Sequence, residues 1–240
     1  MPVFRVLFLS LIVFSNVVAA TAEKSACGTT VKAALHGVVR DASGKIIRRM
    51  PLGSNPVIVD TNMVIALVEQ KYRPDKISQN LKKYADRFNR MFKRKHKKIA
   101  DSHLYMAERS VTERFNPNNN GTVTFPTSIR IFEIEGSRNS PEYQKLLKKF
   151  EDLQVGQVKA NSANDREIVA DLFFARRSHT EDIPTFVTAD SGIYGPLCRF
   201  VPACAGLRGN PKLVKEAFSS GYIVEIDIGG VARKVRIIPF

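Results

Sequence analysis

Hydrophobic and polar positions along this chain switch between a two-residue and a three-to-four-residue period, and the switches mark its elements. Val57-Ile58-Val59 is a β-branched run that stops at Asp60; after Thr61 and Asn62 a new apolar stretch covers residues 63–68. A short apolar run bounded by turn-forming residues predicts a buried parallel strand, with Thr61 or Asn62 capping the helix behind it. Residues 184–189 repeat the arrangement, ending at Asp190 before Ser191 and Gly192. Leu104-Tyr105-Met106 predicts another strand, followed by a helix carrying Val111 and Glu113. In residues 164–175, Ile168, Leu172 and Ala175 share one helical stripe, with Asp165 in the first turn.

The intervening pieces complete an α/β pattern. Residues 36–50 read as a β-hairpin turning between Asp41 and Gly44, and a Pro/Gly/Ser/Asn linker leads from there to Pro56. Residues 122–135 alternate like strands after an Asn-rich loop. Ser140-Pro141 opens a helix through Leu153, with proline where its missing N–H costs nothing. Residues 211–220 read as a helix stopped by Gly221, and residues 222–240 as a hairpin around Gly229-Gly230. Both hairpins are expected at the periphery of a central, mostly parallel sheet, extending it or pairing the two termini.

Charge adds a partner. The formal net charge is +14, and a strongly basic soluble protein meets a polyanion or an anionic membrane. The excess concentrates in residues 81–98, where Lys82, Lys83, Arg87, Arg90, Lys93, Arg94, Lys95, Lys97 and Lys98 face a single acid, Asp86. Leu81, Tyr84, Phe88 and Phe92 recur at helical spacing in the same stretch, giving an apolar seam and a basic outer face. That face is expected to track nucleic-acid phosphates, as against a merely solvated helix, while Tyr84 and the phenylalanines belong to the core.

Residues 1–22 have the layout of a secretory signal peptide: Arg5 in a short basic start, an apolar run over residues 6–18, and Ala20-Thr21-Ala22 as the cleavage site. The mature protein is therefore expected in the periplasm or outside the cell. In that setting Cys198 and Cys204 either close a small loop as a disulfide or remain as reduced thiols, with Cys27 left over. The cysteines and His36, His96, His103 and His179 show no zinc-ligand spacing.

Taken in order, Asp60-Thr61-Asn62, Glu113, Asp165 in the run DREIVA, and Thr188 with Asp190 resemble the PIN-domain family of metal-dependent nucleases. The resemblance covers roughly residues 56–201. A long basic insertion, residues 76–100, separates Asp60 from Glu113, and Glu108 competes with Glu113 as the second acid. The resemblance implies a three-layer α/β/α PIN-like domain over residues 56–205, with residues 23–55 as an N-terminal extension and residues 206–240 as an appended helix and hairpin. It implies Asp60, Asp165 and Asp190 as ligands of Mg²⁺ or Mn²⁺, and Glu113 as a further ligand or the group orienting water. Thr61, Asn62 and Thr188 would be supporting residues. RNA is the implied substrate, and an exported ribonuclease suggests a toxin or effector with a cognate inhibitor protein, or more plainly extracellular nutrient scavenging. A homodimer is implied by the habit of relatives.

The chemistry of the residues agrees with this. Clustered carboxylates cannot all stay ionised without a cation, an all-oxygen donor set favours Mg²⁺ or Mn²⁺, and such a site activates water for attack on a phosphodiester. Each acid also has a local reading: an Asx turn for Asp60, the positive end of a helix for Asp165, an N-cap for Asp190, an ion pair with Arg109 for Glu113 and a surface position for Asp171. Two alternatives to the ribonuclease remain, a catalytically inactive basic binding module and a structure-specific DNA nuclease.

Overall fold

Strand alternation sorts the side chains of this chain onto two faces of one sheet, and each face collects its own helices. A computed structural model describes residues 29–33, 39–40, 49–95, 104–114, 123–125, 129–156 and 162–240. The signal-like segment, Cys27, the Asp41–Gly44 turn, Lys97 and Lys98 lie outside the described residues. In chain order the elements begin with β1 (Thr29–Ala33), β2 (Val39–Arg40), β3 (Arg49–Met50), β4 (Val57–Val59), α1 (Thr61–Tyr72) and α2 (Gln79–Lys95). There follow β5 (Leu104–Met106), α3 (Glu108–Arg114), β6 (Val123–Phe125), β7 (Ile129–Phe132), α4 (Pro141–Asp152) and α5 (Ser162–Phe173). The last are β8 (Thr185–Thr188), α6 (Ser191–Leu197), α7 (Pro211–Ala217), β9 (Tyr222–Ile228) and β10 (Val231–Pro239).

The main sheet has seven strands in the order β3-β7-β5-β4-β8-β10-β9. All its neighbouring pairs are parallel except β10 with β9. Val57, Val59, Leu104, Met106 and Val187 pack on one face with Met63 and Val64 of α1, Phe88 of α2 and Val111 of α3. Ile58, Tyr105, Phe132 and Phe186 face the other way, against Tyr143 and Phe150 of α4, Ile168 and Leu172 of α5, and Ile193 and Leu197 of α6. The successive strand residues of β4 are thus buried on opposite faces, which is why its sequence is continuously apolar. The result is an α/β fold of three layers around a mostly parallel sheet.

One expectation about the β elements is corrected. Among the described residues β2 and β3 do not pair with each other: β2 pairs antiparallel with β1, Ala33 opposite Val39, and β1 pairs on its other side with β6 in a separate three-stranded sheet. β3 instead joins the main sheet beside β7. The C-terminal hairpin extends the main sheet at one end. Its turn is at Gly229-Gly230, both at positive φ as a type I′ turn requires. β10 pairs with β8, Ile237 opposite Phe186, and β9 is the edge strand on that side.

Local signals fix the helix ends. Ser140 caps α4, accepting from the Tyr143 N–H, with Pro141 at its first position. α7 ends at Ala217, earlier than predicted, and Gly221 follows at φ 98°. There an added Cβ would lie 2.8 Å from the Ile237 carbonyl oxygen, so the entry to β9 requires glycine. Cys198 and Cys204 form a disulfide across two 3₁₀ turns, their Cα atoms 5.6 Å apart. Among the described residues no helix is long and apolar enough to cross a membrane.

Candidate functional site

From β4 the chain lays β5 and β7 on one side of the sheet, then places β8 and β10 on the other. A reversal of strand order opens a crevice at the carboxyl ends of the two strands that flank it. Here those strands are β4 and β8, which end just before Asp60 and Asp190. The backbone joins them at that point, Asp60 N–H donating to the Val187 carbonyl.

Asp60 is itself the N-cap of α1, in place of Thr61 or Asn62. Its Oδ1 accepts from the Met63 N–H at 2.7 Å. Its Oδ2 accepts from the Ala189 N–H at 3.1 Å and from the Thr188 hydroxyl. The Thr188 oxygen in turn accepts from the Asp190 N–H at 2.9 Å. Asp190 caps α6, accepting from the Gly192 N–H at 2.9 Å. Both acids therefore do the local capping that each would do alone, and in addition one hydroxyl ties them together. They are 5% and 6% exposed. Burial pushes the Asp60 carboxyl up to about 6; hydrogen bonds from Thr188 and Met63 oppose that rise, and the Asp190 charge adds to it.

Asp165 sits in the first turn of α5 at 7% exposure. That turn is fastened to α3 by Arg109, whose Nε donates to Asn164 Oδ1 at 2.9 Å and pairs with Glu167 at 3.1 Å. Glu113 belongs to α3, but its side chain lies outside the description. So Asp60, Thr188 and Asp190 come together, while Asp165, also buried, sits on α5. Among the described residues no group of three or more Asp, Glu, His or Cys side chains is arranged to hold a metal ion. Neither Thr61 nor Asn62 hydrogen-bonds Asp60, and the Thr61 hydroxyl is buried without a hydrogen-bond partner among the described residues.

Two other acids are occupied elsewhere. Glu108 pairs with Arg49 and, at 3.5 Å, with Arg138. Asp171, expected at the surface, is 1% exposed and takes hydrogen bonds from Arg138 at 3.1 and 2.8 Å and from the Tyr143 hydroxyl at 2.7 Å. Its position three residues after Ile168 and four before Ala175 puts it on the buried stripe of α5, a signal present in the spacing.

The basic helix α2 packs through Phe88 and Phe92, whose ring centroids are 4.6 Å apart, and Lys82, Lys83 and Arg90 are exposed. Arg87 departs from that outer face. It is half-buried, donates to the Ser219 carbonyl at 2.9 Å and lies over the Phe240 ring, 4.4 Å from its centroid. Lys93, Arg94 and Lys95 form the last turn of α2, with side chains outside the description. Two residues of the neighbourhood were not anticipated: Tyr194, one turn beyond Asp190 on α6, and Lys215 of α7, whose ammonium is 5.8 Å from the Tyr84 ring centroid. Compared with protein-family models, with curated proteins and with solved structures, the chain matches none.

Proposed function

We propose that this protein is a PIN-like endoribonuclease that hydrolyses RNA phosphodiesters with Mg²⁺ or Mn²⁺ held by Asp60, Asp190 and Asp165. The observation that carries the reading is the pair of buried acids at the strand-order reversal, the Thr188 hydroxyl donating to the Asp60 carboxylate and accepting from the Asp190 backbone N–H. Carboxylate oxygens are the donors that hard divalent cations take, so the residues fit the group. Asp60 Oδ2 already accepts two hydrogen bonds and Oδ1 one, which leaves Oδ1 the atom with a lone pair to give. When bound, the cation supplies a nucleophilic water at neutral pH and charge stabilisation at the phosphoryl oxygens. Thr188 fixes the Asp60 rotamer and the backbone of Asp190 at once. Glu113, on α3, is the candidate for orienting the water.

The test is cleavage of labelled RNA with Mg²⁺ or Mn²⁺, against EDTA and against Asp60→Asn. Cleavage is expected to stop in EDTA. It should fall in the variant by more than about 100-fold, the upper end for loss of a merely supporting group. A panel of duplex, flap and single-stranded DNA separates this reading from a DNA nuclease. One observation favours a second reading, a basic RNA-binding module without catalysis: both acids already serve as helix caps, and no three-acid group is present among the described residues. RNA binding with no metal-dependent cutting would select that module.

A further inference from the structure

Arg87, Tyr84, Tyr194 and Lys215 come from three helices, α2, α6 and α7, and gather beside Asp190. Lys215 stands over the Tyr84 ring, and Arg87 follows Tyr84 by one helical turn on α2. Burial first, then Tyr84 and Asp190, push the Tyr194 hydroxyl up from its ordinary value, and Arg87 opposes that rise. Arg87 is bound back to the site through Phe240: its guanidinium lies over that ring, and the Phe240 N–H donates to the Thr188 carbonyl at 2.9 Å.

This cluster contains two cations that repel. Burial, and after it the Arg87 charge, lowers the Lys215 ammonium; burial, and after it the Arg90 charge, lowers Arg87. Neither cation has an acid within ion-pair distance among the described residues. Arg87 makes a single hydrogen bond there, to the Ser219 carbonyl, and its remaining N–H donors have no acceptor among the described residues. A half-buried guanidinium and a nearby ammonium, neither ion-paired with an acid among the described residues, are relieved by an anion that accepts from both. A tetrahedral phosphate fits the guanidinium fork and the point charge better than a planar carboxylate fits both.

We propose that Arg87 and Lys215, set around Tyr84 and Tyr194, form a subsite for a backbone phosphate of the RNA strand, next to the bond presented to Asp60 and Asp190. The proposal rests on reading those acids as the cleaving pair and deepens it. Arg87 is then a positioning contact, not one more charge of the outer helix face. The subsite grips one phosphate and sets where the strand lies, whereas Lys82, Lys83 and Arg90 add affinity without register.

The experiment is equilibrium binding of a 5′-labelled single-stranded RNA oligonucleotide to the full chain in EDTA, over a series of salt concentrations. The R87Q/K215Q double variant is expected to bind about tenfold more weakly, with the salt slope reduced by roughly one, the value for one phosphate contact. K145Q/K148Q removes equal charge from exposed positions of α4 and should stay within about twofold of the parent. Equal weakening of the two doubles, or none in R87Q/K215Q, overturns the subsite. K215Q alone keeps the Arg87–Ser219 bond, so it should lose about threefold at an unchanged melting temperature; no loss there also overturns it. Cleavage assays on the same preparations separate the two proposals. Selective loss of binding without any metal-dependent cutting leaves the subsite standing and ends the nuclease reading; cutting with undiminished R87Q/K215Q binding does the reverse.

Discussion

At the scale of single residues, Asp60 sets a pH dependence. Its carboxyl is pushed up to about 6 by burial, above its ordinary value of 3.8, so the folded metal-free chain holds that proton more tightly than the unfolded one. The stability it contributes is full below about pH 4 and is lost as the pH rises through about 6, a fall of roughly 3 kcal/mol for a two-unit difference. Chemical denaturation in EDTA at pH 4.5 and pH 7 should show this slope, and Asp60→Asn should remove it whatever its own pH-independent cost. Mn²⁺ should raise the melting temperature more at pH 7 than at pH 4.5, because only the ionised carboxylate offers a full charge. The two strand-end acids were legible in the sequence because strand termini are local: a β-branched run followed by a small polar pair marks them. Their link through Thr188 was legible only as a supporting role, since the sequence does not say which hydroxyl crosses to which acid. Asp171 was misjudged through its charge. A carboxylate on a buried stripe needs partners, and Arg138 and Tyr143 come from the β7–α4 region, beyond the reach of any helical period.

At the scale of elements, the disulfide closes two 3₁₀ turns directly behind α6, the helix whose first residue follows Asp190. Both sulfurs are buried, and Gly195 of α6 lies so close to the next loop that an added Cβ would fall 2.8 Å from the Gly209 carbonyl. Replacing Cys198 and Cys204 together with alanine should cost about 2 kcal/mol, the loop-closure value for so short a ring, read as a lower urea midpoint. Helices such as α4 were readable because every cue is local: Ser140 as cap, Pro141 in the first turn, and Tyr143, Leu146 and Phe150 on one stripe. The pairing of β2 and β3 was not. Each has two residues, too few for alternation to declare a face, and the choice between β1 and β7 as partner is made by the rest of the sheet.

At the scale of the whole molecule, the two faces of the sheet were foreseeable as layers and the hairpin as an extension of it, but not how deeply the hairpin is built in. β10 contributes Val235, Ile237 and Ile238 to the interior and pairs with β8. A chain ending at residue 205 should therefore lose cooperative thermal unfolding and gain dye-accessible apolar surface; a sharp, parent-like transition would show that residues 56–205 stand alone. The register Val57 with Thr185, and the bond from Thr188 to Asp60 across a sequence separation of 128, join distant parts of the chain. Non-local parallel pairings form slowly, after the entropy of closing long loops has been met. The carboxylate pair is thus among the last things this polypeptide assembles. A nascent or partly folded chain carries its full positive charge from the outset, but on the proposed reading it has no chemistry to apply to whatever that charge attracts.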